Sequence, residues 1–89
     1  MFKTLEELIA IIRQRKSSTK ESYTNKLLNN KKLSVEKVKE EITELIDAIE
    51  KNTNQVHEAA DVLYHLMVLL EANGIKIEDV MNELKNRQK

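Results

Sequence analysis

The stretch HEAADVLYHLMVLL, His57 to Leu70, decides how this chain folds. From Ala59 onward it is apolar almost all round, the mark of a helix buried on several sides. Asp61 and His65 interrupt it, and Glu58 stands at its start. A buried carboxylate without a partner costs roughly several kcal/mol or takes up a proton. Whatever packs against this helix must therefore account for its acids.

Upstream lies the turn KNTNQ, residues 51–55, and before it a second long helical pattern. Val35, Val38, Ile42, Leu45, Ile46 and Ile49 recur at bundle spacing, with Ser34 as the expected N-cap. Two helices of about 18–20 residues, about 30 Å each at 1.5 Å per residue, are thus joined by a short turn. Such a turn makes them antiparallel neighbours. Downstream, ANG places Gly74 at the left-handed position past a helix end. A final amphipathic helix then carries Ile77, Val80, Met81 and Leu84.

Toward the N-terminus, Thr4 and Glu7 resemble a capping box ahead of Leu5, Leu8, Ile9 and Ile12. This predicts a first helix over 4–16. The polar SSTKES stretch is a loop, and a short helix opens near Ser22 or Thr24, with Leu27 and Leu28 as its contact. NNKKLS, residues 29–34, is the next break. The fold class is all-α: a single domain over 1–89, a bundle of about four to five helices around long antiparallel central ones. The helix from His57 to Leu70 is apolar on more faces than one partner covers, so a homodimer is expected to complete the bundle.

Composition excludes several classes of function. Lys plus Arg equals Asp plus Glu, 15 each, so no net basic field attracts nucleic acid. Aromatic residues are 3% of the chain, too few for base-stacking platforms. The longest apolar run, LMVLL, is far short of a membrane span, and the opening MFKTLEELIAIIRQRK is no secretory signal. The chain has no Cys, which removes disulfides and thiolate metal sites and fits a reducing cytoplasm. With 89 residues, only about 60–65% of the unfolded surface is buried on folding, so the core is small.

The acids carry the chemistry. EEITELIDAIE contains Glu40, Glu41, Glu44, Asp47 and Glu50 and no base. Glu41 lies beside the apolar stripe and Glu44 one step further out, whereas Glu40 and Asp47 point toward solvent. On the next helix Glu58 and Asp61 share a face, with His65 four residues on. Across an antiparallel pair, Glu41 and Glu44 can meet Glu58 and Asp61. Four converging carboxylates need a hard cation, and oxygen ligands without thiols suit Mg²⁺, with Mn²⁺ as the alternative. An acidic run alone is more often a solvated face; it is the facing ExxE and ExxD pairs that point to a metal. A di-iron bundle would want Glu-x-x-His on two helices, which is absent. His57 and His65 lack the neighbours of a zinc site.

EExxE, a spacer of 13 residues and ExxD resemble the all-α nucleotide pyrophosphohydrolase superfamily. SYTNKLL (22–28), KVKEEITE (37–44), EAADVLYHLMVLL (58–70) and GIKIEDVMNEL (74–84) resemble its phosphoribosyl-ATP pyrophosphatase family in particular. The chain departs from that pattern at Lys39, where a Gly is usual, and at Lys20, Glu21, Asn29 and Asn30 in the loops. The resemblance implies Mg²⁺-dependent hydrolysis of phosphoribosyl-ATP to phosphoribosyl-AMP and pyrophosphate, in the second step of histidine biosynthesis. It implies metal ligation by Glu41, Glu44, Glu58 and Asp61, with Glu40 or a ligand acid such as Glu41 or Glu44 orienting the water. Ser22, Tyr23, Thr24, Lys26 and Lys37 are the expected contacts to the nucleotide. For Ser22 and Thr24 the structural alternative is helix capping; for Lys37, an ion pair with Glu41. Tyr64 and His65 match the family's YH pair and have a core role as their alternative. Two rival functions stand beside this one: a related pyrophosphohydrolase of noncanonical nucleotides, and a non-catalytic helical interaction module. The chain holds no Cys or His cluster for a zinc cyclohydrolase, so it supplies at most one of two consecutive steps.

Overall fold

The long pattern before the KNTNQ turn and the apolar stretch after it fold as two helices lying side by side, and everything else packs around the second. The computed structural model describes residues 2–88. Its helices are α1 (Lys3–Lys16), α2 (Tyr23–Leu28), α3 (Lys31–Lys51), α4 (Gln55–Ala72) and α5 (Ile77–Arg87). No strand occurs among the described residues, and no helix is long and apolar enough to cross a membrane. The all-α expectation holds.

The connection between α3 and α4 is only Asn52 to Asn54. Asn52 and Asn54 both take the left-handed backbone, at φ +55°, which Asn tolerates better than most residues. The Thr53 amide donates to the Ala48 carbonyl at 3.0 Å and closes the end of α3. Gly74, at φ +70°, ends α4 as expected. Its amide donates to the Glu71 carbonyl and that of Ile75 to the Leu70 carbonyl, the paired bonds of a Schellman motif.

Two expected caps are displaced. α1 begins at Lys3 behind Phe2 with no side-chain cap, so Thr4 lies inside the first turn. α3 begins at Lys31, because the Asn30 side chain accepts from the Leu33 amide at 3.1 Å. The helix therefore opens one turn before Ser34, which becomes a buried interior residue.

The main core joins Ile12 of α1 and Leu27 and Leu28 of α2 to Met67, Val68 and Ala72 of α4. α5 buries no residue. It is tied to α1 by Arg13, whose guanidinium grips Glu78 through two bonds of 2.7 and 2.9 Å.

The face of α3 turned inward differs from the expected stripe. Ser34, Val38, Glu41, Leu45 and Ala48, at alternating spacings of four and three, are buried or half-buried. Of the expected apolar stripe, only Val38 is buried and Leu45 half-buried, whereas Val35, Ile42, Ile46 and Ile49 remain 38–56% exposed. The exposed set lies about a quarter turn from the inward one, at 3.6 residues per turn. On α4, Val56 and Leu63 are also exposed, at 85% and 48%. The inward row of α3 thus carries a carboxylate at its middle, Glu41, deeper than the position beside the stripe that periodicity assigns to it.

Candidate active site

Antiparallel packing of α3 on α4 brings the two acid pairs together. Oxygens of Glu40, Glu41 and Glu44 come within 4.8 Å of one another on α3, and on α4 ligand atoms of His57, Glu58 and Asp61 do the same. Glu44 links the groups, lying beside both Glu41 and Glu58 and raising the carboxyl of each. Glu41 is 8% exposed. Burial, and then Glu44 beside it, push its carboxyl above the ordinary range, and Asp61 adds to the effect. Burial likewise raises Glu58, with the charges of Glu44 and Asp61 adding to it. One oxygen on each of these two residues, Glu41 Oε2 and Glu58 Oε2, is buried with no hydrogen-bond partner. A buried acceptor left unpaired costs about 1–3 kcal/mol, and two of them in one like-charged group form a site that a cation would neutralise. A donor set dominated by carboxylate oxygens fits Mg²⁺ or Mn²⁺.

Glu40 stands at the edge of this group, exposed and paired with Lys37 at 3.4 Å. Lys37 therefore pairs with the acid three residues on rather than with Glu41. Its ammonium holds its proton more tightly for that reason, with Tyr23 and Glu41 adding to the effect. It lies between the acids and α2.

The SYT segment is fixed to α4. The Ser22 hydroxyl caps α2 by accepting from the Asn25 amide at 3.0 Å. Thr24 is buried and its hydroxyl bonds that of Tyr64. The Tyr23 hydroxyl meets His65 Nε2 at 2.9 Å, while its ring stays 49% exposed. Partial burial raises the Tyr23 hydroxyl pKa, against the pull of Lys37. Ser22 thus takes its capping alternative, whereas Thr24 caps nothing and spends its hydroxyl on Tyr64. Lys26 is exposed, beside Ser22, Tyr23, Asn25 and Asn29 in a shallow recess.

Residues 5–88 match the sequence profile of the phosphoribosyl-ATP pyrophosphohydrolase family. The chain belongs to that family. It is 47% identical over 89 residues to the phosphoribosyl-ATP pyrophosphatase of Sulfurisphaera tokodaii, covering 96% of this chain and 95% of that one. With the Clostridium novyi phosphoribosyl-ATP pyrophosphatase it is 44% identical over 90 residues, 96% and 81% of the two chains. It is 45% identical over 87 residues to a histidine biosynthesis bifunctional protein of Pyrococcus furiosus, of whose length it spans 41%.

Two features of this pyrophosphohydrolase site escaped sequence reasoning. His57, 3.4 Å from Asp61, joins the α4 ligand group; its spacing of four from Asp61 was the available signal. The Tyr23–His65 bond joins residues 42 apart, and no local pattern announces it.

Proposed function

We propose that this chain hydrolyses the α–β phosphoanhydride of phosphoribosyl-ATP, releasing phosphoribosyl-AMP and pyrophosphate in histidine biosynthesis, with Mg²⁺ as cofactor. Family membership and the stand-alone relatives named phosphoribosyl-ATP pyrophosphatase support the substrate. The observation that carries the chemistry is the pair of unpartnered buried oxygens on Glu41 and Glu58, within a group of four carboxylates that includes Glu44 and Asp61.

Glu41, Glu44, Glu58 and Asp61 would hold the metal, Mn²⁺ being the alternative for the same donors. Bound there, the ion supplies positive charge for the phosphate oxygens and acidifies a water. The remaining work falls to the protein. Left alone, the acids repel a polyphosphate, so substrate approaches only when they are neutralised. Lys37, paired with Glu40 at the edge of the acids, offers a cation to a phosphate oxygen. Lys26 and the Tyr23 ring line the α2 side, where the nucleotide would lie. The water's oxygen bonds to phosphorus as the α–β bridge breaks. Its proton passes to a carboxylate of the α3 group, Glu40, Glu41 or Glu44, and the pyrophosphate carries away the bridging electrons.

A second copy of the chain would cover the exposed row Val35, Ile42, Ile46 and Ile49 together with Val56 and Leu63. On both helices these side chains lie roughly opposite Glu44, Glu58 and Asp61 at 3.6 residues per turn, so the homodimer would leave the acid face open to substrate. The absence of Cys fits a cytoplasmic setting.

Pyrophosphate release should be measured from phosphoribosyl-ATP and from a panel of noncanonical and ordinary nucleoside triphosphates, with and without Mg²⁺. Phosphoribosyl-ATP should lead in kcat/KM by at least about a hundredfold, the scale of a site built for polar groups its competitors lack. Comparable turnover of other triphosphates would make the chain a general nucleotide pyrophosphohydrolase. No turnover of any would make it a helical interaction module.

A further inference from the structure

His65 sits on the ligand-bearing helix, one turn beyond Asp61, and both of its ring nitrogens are engaged. Nδ1 lies 2.8 Å from the Asp61 backbone carbonyl. A carbonyl only accepts, so Nδ1 carries the proton. In the neutral ring Nε2 is then a bare acceptor, and the Tyr23 hydroxyl at 2.9 Å donates to it. The imidazole is buried, at 7% exposure, and packs edge-on against Tyr23 and Tyr64, with ring centroids 5.8 and 4.9 Å away. The next residue pair repeats the tie, Thr24 to Tyr64. A six-residue helix, too short to hold itself, is thus pinned by two adjacent side-chain bonds to the helix that carries Glu58 and Asp61.

We propose that His65 is a positioning residue for the reaction: its Nε2 lone pair holds the Tyr23 hydroxyl, and through it the substrate-facing end of α2, in register with the acid group. This rests on the functional reading above. The Asp61 carbonyl selects the tautomer, so one residue serves the site twice, through its carboxylate toward the cation and through its backbone toward His65. With its proton committed to His65, the Tyr23 oxygen keeps its lone pairs free on the Lys37 side, the direction from which a phosphate or its water shell approaches.

The test is a double-mutant cycle in full kinetics on the Mg²⁺-loaded protein with phosphoribosyl-ATP. His65→Leu and Tyr23→Phe should each raise KM about tenfold, the scale of one lost hydrogen bond, with kcat nearly unchanged. The double variant should be no worse than either single one, because both remove the same bond. His65→Gln, whose side-chain amide offers an acceptor near the position of Nε2, should recover most of the loss. Should His65→Leu fail to fold, Tyr23→Phe against His65→Gln still decides the matter. ¹⁵N NMR of the wild-type imidazole should show the proton on Nδ1. Multiplying losses, about a hundredfold in the double variant, would overturn the inference, as would a wild-type KM in Tyr23→Phe or a proton on Nε2. A wild type that leaves phosphoribosyl-ATP intact would overturn the functional reading, and this inference with it.

Discussion

Replacing Glu41 by glutamine separates a metal ligand from a structural acid by the sign of its effect on stability. Glu41 occupies the middle of the inward row of α3, 8% exposed, with Oε2 unpartnered and Glu44 against it. Glutamine keeps the shape, removes the charge and brings a donor that Glu44 can accept. Without metal, the variant should gain about 1 kcal/mol, the scale of one net hydrogen bond, which is about 4–8 °C in melting temperature for a small domain. With Mg²⁺ the order should reverse. A ligand at a hundred times its Kd adds about 2.7 kcal/mol to the wild type, and the variant, short of one anionic ligand, should lose most of that shift. Thermal melts of both proteins by circular dichroism, in chelator and in millimolar Mg²⁺, measure all four values. If Glu41 were instead one half of a buried ion pair, its loss would leave a buried cation and cost about 3–5 kcal/mol. A strongly destabilised metal-free variant whose Mg²⁺ shift survives would therefore refute the reasoning.

Three further outcomes are expected. Glu44→Gln and Asp61→Asn should each keep a cooperative melt and lose at least about a hundredfold in turnover, the scale of a lost metal ligand or its orientation; near wild-type turnover in either variant would remove that residue from the site. The metal-free protein should melt higher near about pH 5 than near about pH 8, because Glu41 and Glu58 have folded pKa values raised above the ordinary 4.5, so the penalty for ionising them is complete above those values and fades as pH falls toward 4.5. Glu78, lowered to about 2 by Arg13, acts only below that window: its pairing is complete above 4.5 and is lost as pH falls toward 2. Light scattering at micromolar concentration should give about twice the 10.4 kDa chain mass, and Ile46→Lys in the exposed α3 row should shift the protein toward single chains; an unchanged mass in that variant would place the contact elsewhere.

The order of helices was legible because their ends carry strong local signals: Gly74 with its positive φ, Asn52 and Asn54 in a three-residue turn, Ser22 as a cap. The acid pairs were legible because spacings of three keep residues on one helical face whatever the packing. The inward face of α3 was not. Val35, Ile42, Ile46 and Ile49 dominate the apolar pattern, yet Ser34, Glu41 and Ala48 are buried instead. Periodicity finds the most apolar direction, and on α3 that direction is not the one facing α4. The start of α3 was misplaced for a simpler reason. Asn30 and Ser34 are both good caps, and nothing local favours the earlier one. The Tyr23–His65 tie depends on α2 docking against α4, a contact made by the tertiary fold.

The absence of any buried residue in α5 sets the order in which this protein comes apart under native conditions. Openings of least cost expose the least apolar surface, and α5 is held by the Arg13 grip on Glu78 and by half-buried Ile77 and Val80. Its amides should exchange with solvent first, at a rate that ignores Mg²⁺ and rises with salt as the guanidinium contact is screened. The amides of α3 and α4 around Glu41 and Asp61 should exchange last and slow further when the cation binds. The catalytic half of the molecule would then outlast its own C-terminus, and a protease given time should trim the chain back toward Gly74 before it touches the acids.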